Sequence, residues 1–289
     1  MWHWPRSSLS MEPLPLDILL YIIDLLAEDV NSLRILSLTC KSMVPLCRKH
    51  LFSYLSLASH PLKILKRFND LHSTNPDIAR YVRRLDYIAC IPVFTEELKF
   101  LHILTEHSSL QRIRLRSLRS SWPWNNLPNS LRSSLISLIQ LPTVFHLDIE
   151  DLNGFPATAL SGCSNLIDLW LRNLEFSPPE VNQVISRSKV PTPVSLHIRG
   201  PREASSYDFA AFLSSASLHT GGPIVDFSRL QKAEFDVSSR DDIDHVNKLI
   251  TATTRLEYFS IDSLIGKNWR CRLSLNLLTG IFFFQWISL

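Results

Sequence analysis

The chain has 289 residues, 45% hydrophobic and 20% charged, with a formal net charge of +3. That composition belongs to a folded globular protein with material for one large domain or two smaller ones, and excludes a disordered chain. The small positive excess does not mark a nucleic-acid binder, and the seven glycines form neither G-x-G-x-x-G nor G-x-x-x-x-G-K-[ST], which excludes the familiar phosphate-cradling loops. Five cysteines (Cys40, Cys47, Cys90, Cys163, Cys271) are scattered with no C-x-x-C pair, so neither a disulfide framework nor a zinc site is expected. With no glycosylation sequon and no apolar signal segment in MWHWPRSSLS, a reducing cytoplasmic or nuclear location is expected.

Residues 1–11 read as a flexible N-terminus. From Leu14 on, Ile18, Leu19, Ile22, Ile23, Leu25 and Leu26 recur at helical spacing and give one broad apolar stripe. Pro15 suits a helix start, and Asp17 lies where the helix dipole favours an anion. Ser32 is a candidate N-cap for a second helix carrying Leu33, Leu36 and Leu38. A third helix is expected over residues 42–50, ending in Arg48-Lys49-His50. Three short helices have too little interior to hide so many aliphatic side chains, so part of that surface should meet another body.

Residues 12–58 resemble an F-box. The resemblance rests on Leu14-Pro15-Leu16-Asp17-Ile18-Leu19, then Ile22 and Leu25-Leu26, then Leu36-Ser37-Leu38-Thr39-Cys40-Lys41, and last Arg48-Lys49-His50-Leu51-Phe52. Asp17 replaces the commoner Glu, and Ser42-Met43 stand where many members have Arg-Trp. The resemblance implies docking onto a Skp-family adaptor and, through it, a cullin. Carried over by position, Leu14, Pro15, Ile18, Leu19, Ile22 and Leu36 would face that adaptor. A plain helical cap on the following domain is the alternative.

Residues 59–266 read as an irregular repeat arc, and over residues 52–262 an apolar-x-x-apolar-x-apolar frame recurs. Starting with Phe52/Leu55/Leu57, it continues through Val82/Leu85/Tyr87, Leu110/Ile113/Leu115, Val144/Leu147/Ile149 and Leu166/Leu169/Leu171. It ends with Pro193/Leu196/Ile198, Leu230/Ala233/Phe235 and Leu256/Phe259/Ile261. Helix-like stretches at 96–106, 131–140 and 241–251 precede several frames. Helix, turn and short strand in repetition resemble an irregular leucine-rich repeat, as found behind F-boxes in many fungal proteins. The fold class expected is therefore α/β: a three-helix module, then a solenoid with parallel strands on its concave face and helices outside. Leu118, Leu152, Leu174 and Leu264 occupy the place of the repeat's consensus Asn, which forfeits that residue's hydrogen bonds. A doubly wound α/β sheet or two α+β pieces are the rival folds.

If the strands stack, the x positions form rows on one face. The first reads Arg84, Arg112, His146, Asp168, Ser195, Lys232, Tyr258, and the second Asp86, Arg114, Asp148, Trp170, His197, Glu234, Ser260. The third reads Ile88, Arg116, Glu150, Arg172, Arg199, Asp236, Asp262. Alternating sign along Asp86–Arg114–Asp148, Arg116–Glu150–Arg172 and Arg199–Asp236 suits mutual neutralisation across the sheet. The same face suits target binding, with Arg112, Arg114, Arg116, His146, Asp148, Trp170, Arg172, His197 and Arg199 as the candidates. An arginine cluster with Arg119 could meet an acidic peptide or phosphate group. Trp170 is either an interface anchor or folded onto neighbouring stems.

No catalytic, metal or cofactor motif appears. His102 and His107 lie about 140° apart on a helix, whereas one-face ligation needs i and i+4. Gly162-Cys163-Ser164-Asn165-Leu166 lacks the closing glycine of a nucleophile elbow. Residues 267–289 are an apolar tail, readable as a docked element, a tail anchor or a truncated or misread end. The function expected is a non-catalytic substrate-recognition adaptor of a cullin-based ubiquitin ligase, binding an unidentified target and no nucleic acid; the alternative is a repeat-based binding scaffold without a ligase link.

Overall fold

The computed structural model describes residues 14–39, 41–57, 61–89, 94–117, 122–177, 190–199, 224–237, 246, 249, 253, 255–263, 269–276 and 281–288. The chain forms two compact units, residues 1–54 and 55–289.

The first unit holds α1 (Leu16–Leu25), α2 (Val30–Thr39) and α3 (Met43–Leu51). Pro15 is the N-cap of α1 and Asp17 lies in its first turn, so the predicted start holds. The start of α2 does not: Ser32 lies inside the helix, and Asp29 is the capping acceptor. The Asn31 and Ser32 N–H groups each donate to Asp29 Oδ1 at 3.1 Å, and the Ser32 hydroxyl donates to Oδ2 at 2.6 Å. The Ser32 hydroxyl, helped by its N–H, holds the Asp29 carboxyl below its ordinary range. Basic residues at the end of α3 reach back to α1, with His50 Nε2 3.0 Å and Lys49 Nζ 3.9 Å from Asp24. The buried core of this unit is Ile23, Leu33 and Cys47, with Leu26, Leu36, Met43, Leu46 and Leu51 packed around it.

The second unit is α/β. Its main sheet runs in the order β1 (Tyr54–Ser56), β2 (Arg84–Ala89), β3 (Arg112–Ser117), β5 (His146–Glu150), β7 (Asp168–Arg172), β9 (Ser195–Arg199), β10 (Lys232–Val237), β11 (Tyr258–Ser263), β12 (Trp269–Asn276) and β13 (Ile281–Ser288). From β2 to β11 every neighbouring pair is parallel. All eight apolar frames land on this sheet, one per strand from β1 to β11. From the second frame to the seventh, every frame position is buried. Period-2 alternation then sends the intervening residues to the opposite face.

Strand order follows chain order without reversal, so there is no topological switch point of the doubly wound kind. A doubly wound sheet also covers both faces, whereas here Arg84, Arg112 and Lys232 are exposed on the polar one. On the apolar side lie α4 (Pro61–Thr74), α5 (Thr95–His107) and α6 (Asn129–Ile139). Phe68 of α4 meets Phe100 of α5 edge to face at 5.1 Å, and the Asn69 amide donates to the Glu96 carbonyl at 3.0 Å. The predicted helices at 96–106 and 131–140 are α5 and α6. The one at 241–251 falls largely outside the described residues.

A second sheet of three parallel strands, β4 (Trp122–Pro123), β6 (Leu152–Pro156) and β8 (Glu175–Ser177), was not anticipated from the sequence. The chain reaches β6 and β8 through tight corners at Asp151 and Asn173, whose φ values of 60° and 55° suit short Asx side chains. The Asn173 amide donates to Asp151 Oδ1 at 2.7 Å, and the two corner N–H groups donate to the carbonyls of Arg172 and Arg199. Leu152 and Leu174 are buried just beyond. The hydrogen bonds those leucines cannot make are thus supplied one residue earlier. The apolar tail forms an antiparallel hairpin, β12 with β13, on the far edge of the main sheet. No helix among the described residues is long and apolar enough to cross a membrane.

One buried acid ties α5 to the sheet. The Tyr87 hydroxyl of β2 donates to Glu97 of α5, whose other oxygen accepts the Phe94 N–H at 3.3 Å. Burial pushes the Glu97 carboxyl up from its ordinary value, outweighing those two donors. The folded state therefore holds its proton to higher pH than the unfolded chain, so this group's contribution falls as pH rises from about 4.3 through the folded value. Glu97→Gln keeps an acceptor for the Phe94 N–H and a donor for Tyr87, and cannot ionise. Urea unfolding is expected to find it at least as stable as the parent at pH 7, with a flatter stability profile above pH 4.

Candidate interaction surfaces

Two surfaces stand out, one in each unit. In the helical unit, α1 is apolar nearly all round but only Ile23 is buried. Leu14, Pro15, Leu16, Ile18, Leu20, Tyr21, Ile22 and Leu25 are exposed, as are Val30, Ile35 and Leu38 of α2. Leu25 is 67% exposed and Leu38 85%. Ile18, Ile22 and Leu25 fall on one side of α1, spaced four and three residues apart. Of the six residues predicted to face a partner, Leu14, Pro15, Ile18 and Ile22 lie open. Leu19 is half-buried, and Leu36 packs on the internal cluster. Tyr21 and Leu25 belong to the same open surface. They were missed because a helix read from periodicity alone does not say which side its neighbours cover.

In the second unit the predicted rows hold in register. Arg84 pairs with Arg112, Arg112 with His146, His146 with Asp168, and Asp168 with Ser195; Asp86, Arg114, Asp148, Trp170 and His197 line up likewise. Arg116, Glu150, Arg172 and Arg199 complete the third row, Arg199 exposed at its strand end.

Charge neutralisation does occur, but its strongest contacts run diagonally rather than along the rows. Arg116 donates to both oxygens of Asp86, at 3.1 and 2.8 Å. Arg172 does the same to Asp148, with Nε at 3.1 Å and a closer contact from Nη2. Arg114 donates to Glu150 at 2.6 Å, while its Nε lies 3.4 Å from Asp148 without hydrogen-bond geometry. A guanidinium on a long stem reaches past its direct neighbour, and two parallel N–H groups match a carboxylate better from the diagonal. Burial works against the charge on Arg114, yet the Glu150 hydrogen bond and the fields of Asp148, Glu150 and Asp86 outweigh it and raise its pKa. Asp86 and Asp148 are themselves buried, so their pairing is required.

Trp170 is half-buried at the middle of this face. Its ring stacks on His197 with centroids 3.9 Å apart, while His146 lies 6.1 Å away and the Arg172 guanidinium 5.9 Å from the ring. His197 Nε2 is 3.0 Å from Ser195 Oγ, and Nδ1 is 3.0 Å from Glu234 Oε2. These are the members of a serine hydrolase triad, but not its geometry. The Nδ1–Glu234 approach lacks hydrogen-bond alignment, so the acid does not hold the imidazole in line. Ser195 is buried, and its N–H already donates to the Ile167 carbonyl, so it cannot serve an oxyanion. Ser195 instead pins the imidazole beneath the tryptophan. His146 Nδ1 lies 3.5 Å from Asp168.

His102 and His107 both contact Glu106 on the exposed side of α5, and no cluster of three metal-ligating side chains occurs among the described residues. Cys47 and Cys163 are buried and outside any disulfide, and burial pushes Cys163 up to about 12, which leaves it unreactive.

No family model, curated protein or solved structure matches the chain.

The arginine lattice is expected to be stabilising as a unit. In a double-mutant cycle with Asp148→Ala and Arg172→Ala, read by urea unfolding, a coupling energy of about 1–3 kcal/mol is expected. A value near zero would mean the diagonal pair is only surface decoration.

Proposed function

We propose that the chain is a substrate-recognition adaptor of a cullin-based, SCF-type ubiquitin ligase. In this reading residues 12–58 are an F-box that docks a Skp-family adaptor. The second unit is an irregular leucine-rich-repeat solenoid whose polar sheet face receives a target protein. The observation that carries the reading is the mismatch in the helical unit between a core of three buried side chains and the eleven apolar or proline residues left exposed on α1, its two lead-in residues and α2 alone. Exposed aliphatic surface on that scale costs solubility and is the usual mark of a protein contact. The in-register rows and the one-sided parallel sheet support the repeat reading.

The mechanism is tethering. One unit holds the ligase and the other holds the target, so acceptor lysines reach a high local concentration near a partner enzyme. No bond is made or broken by this chain, and a cytoplasmic or nuclear location suits the role. A second reading, a repeat scaffold with no ligase link, is favoured by the frames alone, since they do not involve α1 or α2.

Co-expression with a Skp-family adaptor separates the two. The parent chain is expected to co-purify with it, and Ile18→Asp to lower its affinity about a hundredfold by placing a charge in an apolar contact. Ile18 is exposed, so the thermal transition should not move. Undiminished capture of the variant, or none of the parent, would reject the adaptor reading in favour of the scaffold.

A further inference from the structure

We infer that Arg84 and Arg112 form the anchor point for an acidic segment of the bound protein, with side-chain oxyanions bridging the two guanidinium groups. The inference rests on the proposed role of the sheet face as a target-binding surface and specifies its chemistry. It starts from a contrast within one lattice. Of the five arginines on the polar face of β2, β3, β5 and β7, Arg114, Arg116 and Arg172 are each held by carboxylates. Arg84 and Arg112 are exposed and have no side-chain partner among the described residues.

Their placement makes this costly. The two are direct register partners on adjacent parallel strands, about 5 Å apart at the backbone, where like charges repel. The nearest carboxylates do not relieve them. Asp86, two residues along β2 from Arg84, has both oxygens taken by Arg116. Asp148, diagonal to Arg112 on the adjacent strand, has both oxygens taken by Arg172, and Asp168, one strand further, already contacts His146 at 3.5 Å. Each free guanidinium keeps five N–H donors in a planar fork, which matches a carboxylate or phosphate. An extended chain crossing the strands from this corner would next meet His146, with the half-buried Trp170 beside it. An acidic side chain at one end and an apolar or aromatic one a few residues later is the sequence such a track selects.

Fluorescence anisotropy on the full chain tests this, using three labelled decapeptides alike except at two adjacent positions: Glu-Glu, phosphoserine-Glu or Gln-Gln. Both anionic peptides should bind at least about tenfold more tightly than the neutral one. Arg84→Gln/Arg112→Gln should remove that preference, while Lys63→Gln/Arg67→Gln on the exposed surface of α4 should leave it. Because a repulsive pair is deleted, the thermal midpoint of the first variant should stay level or rise. Failure to distinguish anionic from neutral peptide, an unchanged preference in the arginine variant, or an equal loss in the α4 variant would each overturn the inference. A gain for the phosphorylated peptide alone would also overturn it, since carboxylates suffice here. Skp-family co-purification of the parent and the arginine variant is read in parallel. Loss from the parent rejects the adaptor reading without touching the arginine pair, and retention by both keeps the two questions separate.

Discussion

A three-helix unit of about forty residues cannot hide a helix that is apolar on all sides but the one holding Asp17 and Asp24. In α1 only one side chain is buried, and the unit's core amounts to Ile23, Leu33 and Cys47 with five half-buried neighbours. Adding hydrophobic residues to such a small body does not enlarge its interior, because surface grows nearly as fast as volume at this size. The surplus must face outward, and on α1 a good part of it does so on one side, where Ile18, Ile22 and Leu25 are spaced four and three residues apart. Interior stability is therefore a poor explanation for Ile18, Ile22, Tyr21 and Leu25, and partner contact a good one.

The sheet unit solves the opposite problem. A parallel sheet with one face on a helical layer leaves its other face to water, and here that face carries residues too polar to cover with helices. Asp86 and Asp148 are nevertheless buried on it, which is tolerable only because arginines from neighbouring strands close over them. The same bidentate contacts link β2 to β3 and β5 to β7, so the lattice crosses strand boundaries where the backbone ladder alone would hold. Trp170 extends the lattice by stacking on an imidazole fixed from below by Ser195.

Much of this was legible in the sequence, for an identifiable reason. A strand has a side-chain period of two, and when consecutive strands are also sheet neighbours each frame predicts both its own buried face and the row its outward residues join. Hence the rows through Arg112, His146, Trp170 and His197 could be written down before any coordinates. What could not be read were choices between chemically equal options. A guanidinium reaches either its direct or its diagonal neighbour, and only packing decides. Asp29 and Ser32 are both good caps, and the carboxylate, three residues earlier, took the role. The second sheet depends on left-handed corners at Asp151 and Asn173, and a single Asx residue between two strands carries no period that would mark it as a corner. The tail's Phe282-Phe283-Phe284 run has no alternation, so nothing in it distinguished a hairpin from a buried helix.

The two surfaces obey different physics, which gives the proposed tether a consequence of its own. Contact through α1 removes apolar area from water, and salts of the sulfate type strengthen that effect. Contact through exposed guanidinium groups is screened, since the Debye length falls from about 10 Å at 0.1 M to about 3 Å at 1 M ionic strength. Arg114, Arg116 and Arg172 are shielded from this because their carboxylates are partly buried beside them. Arg84 and Arg112 have no such protection. A complex assembled through both surfaces should then release its target as ionic strength rises while keeping hold of its adaptor, and a chain that loses both together is attached by something other than these two surfaces.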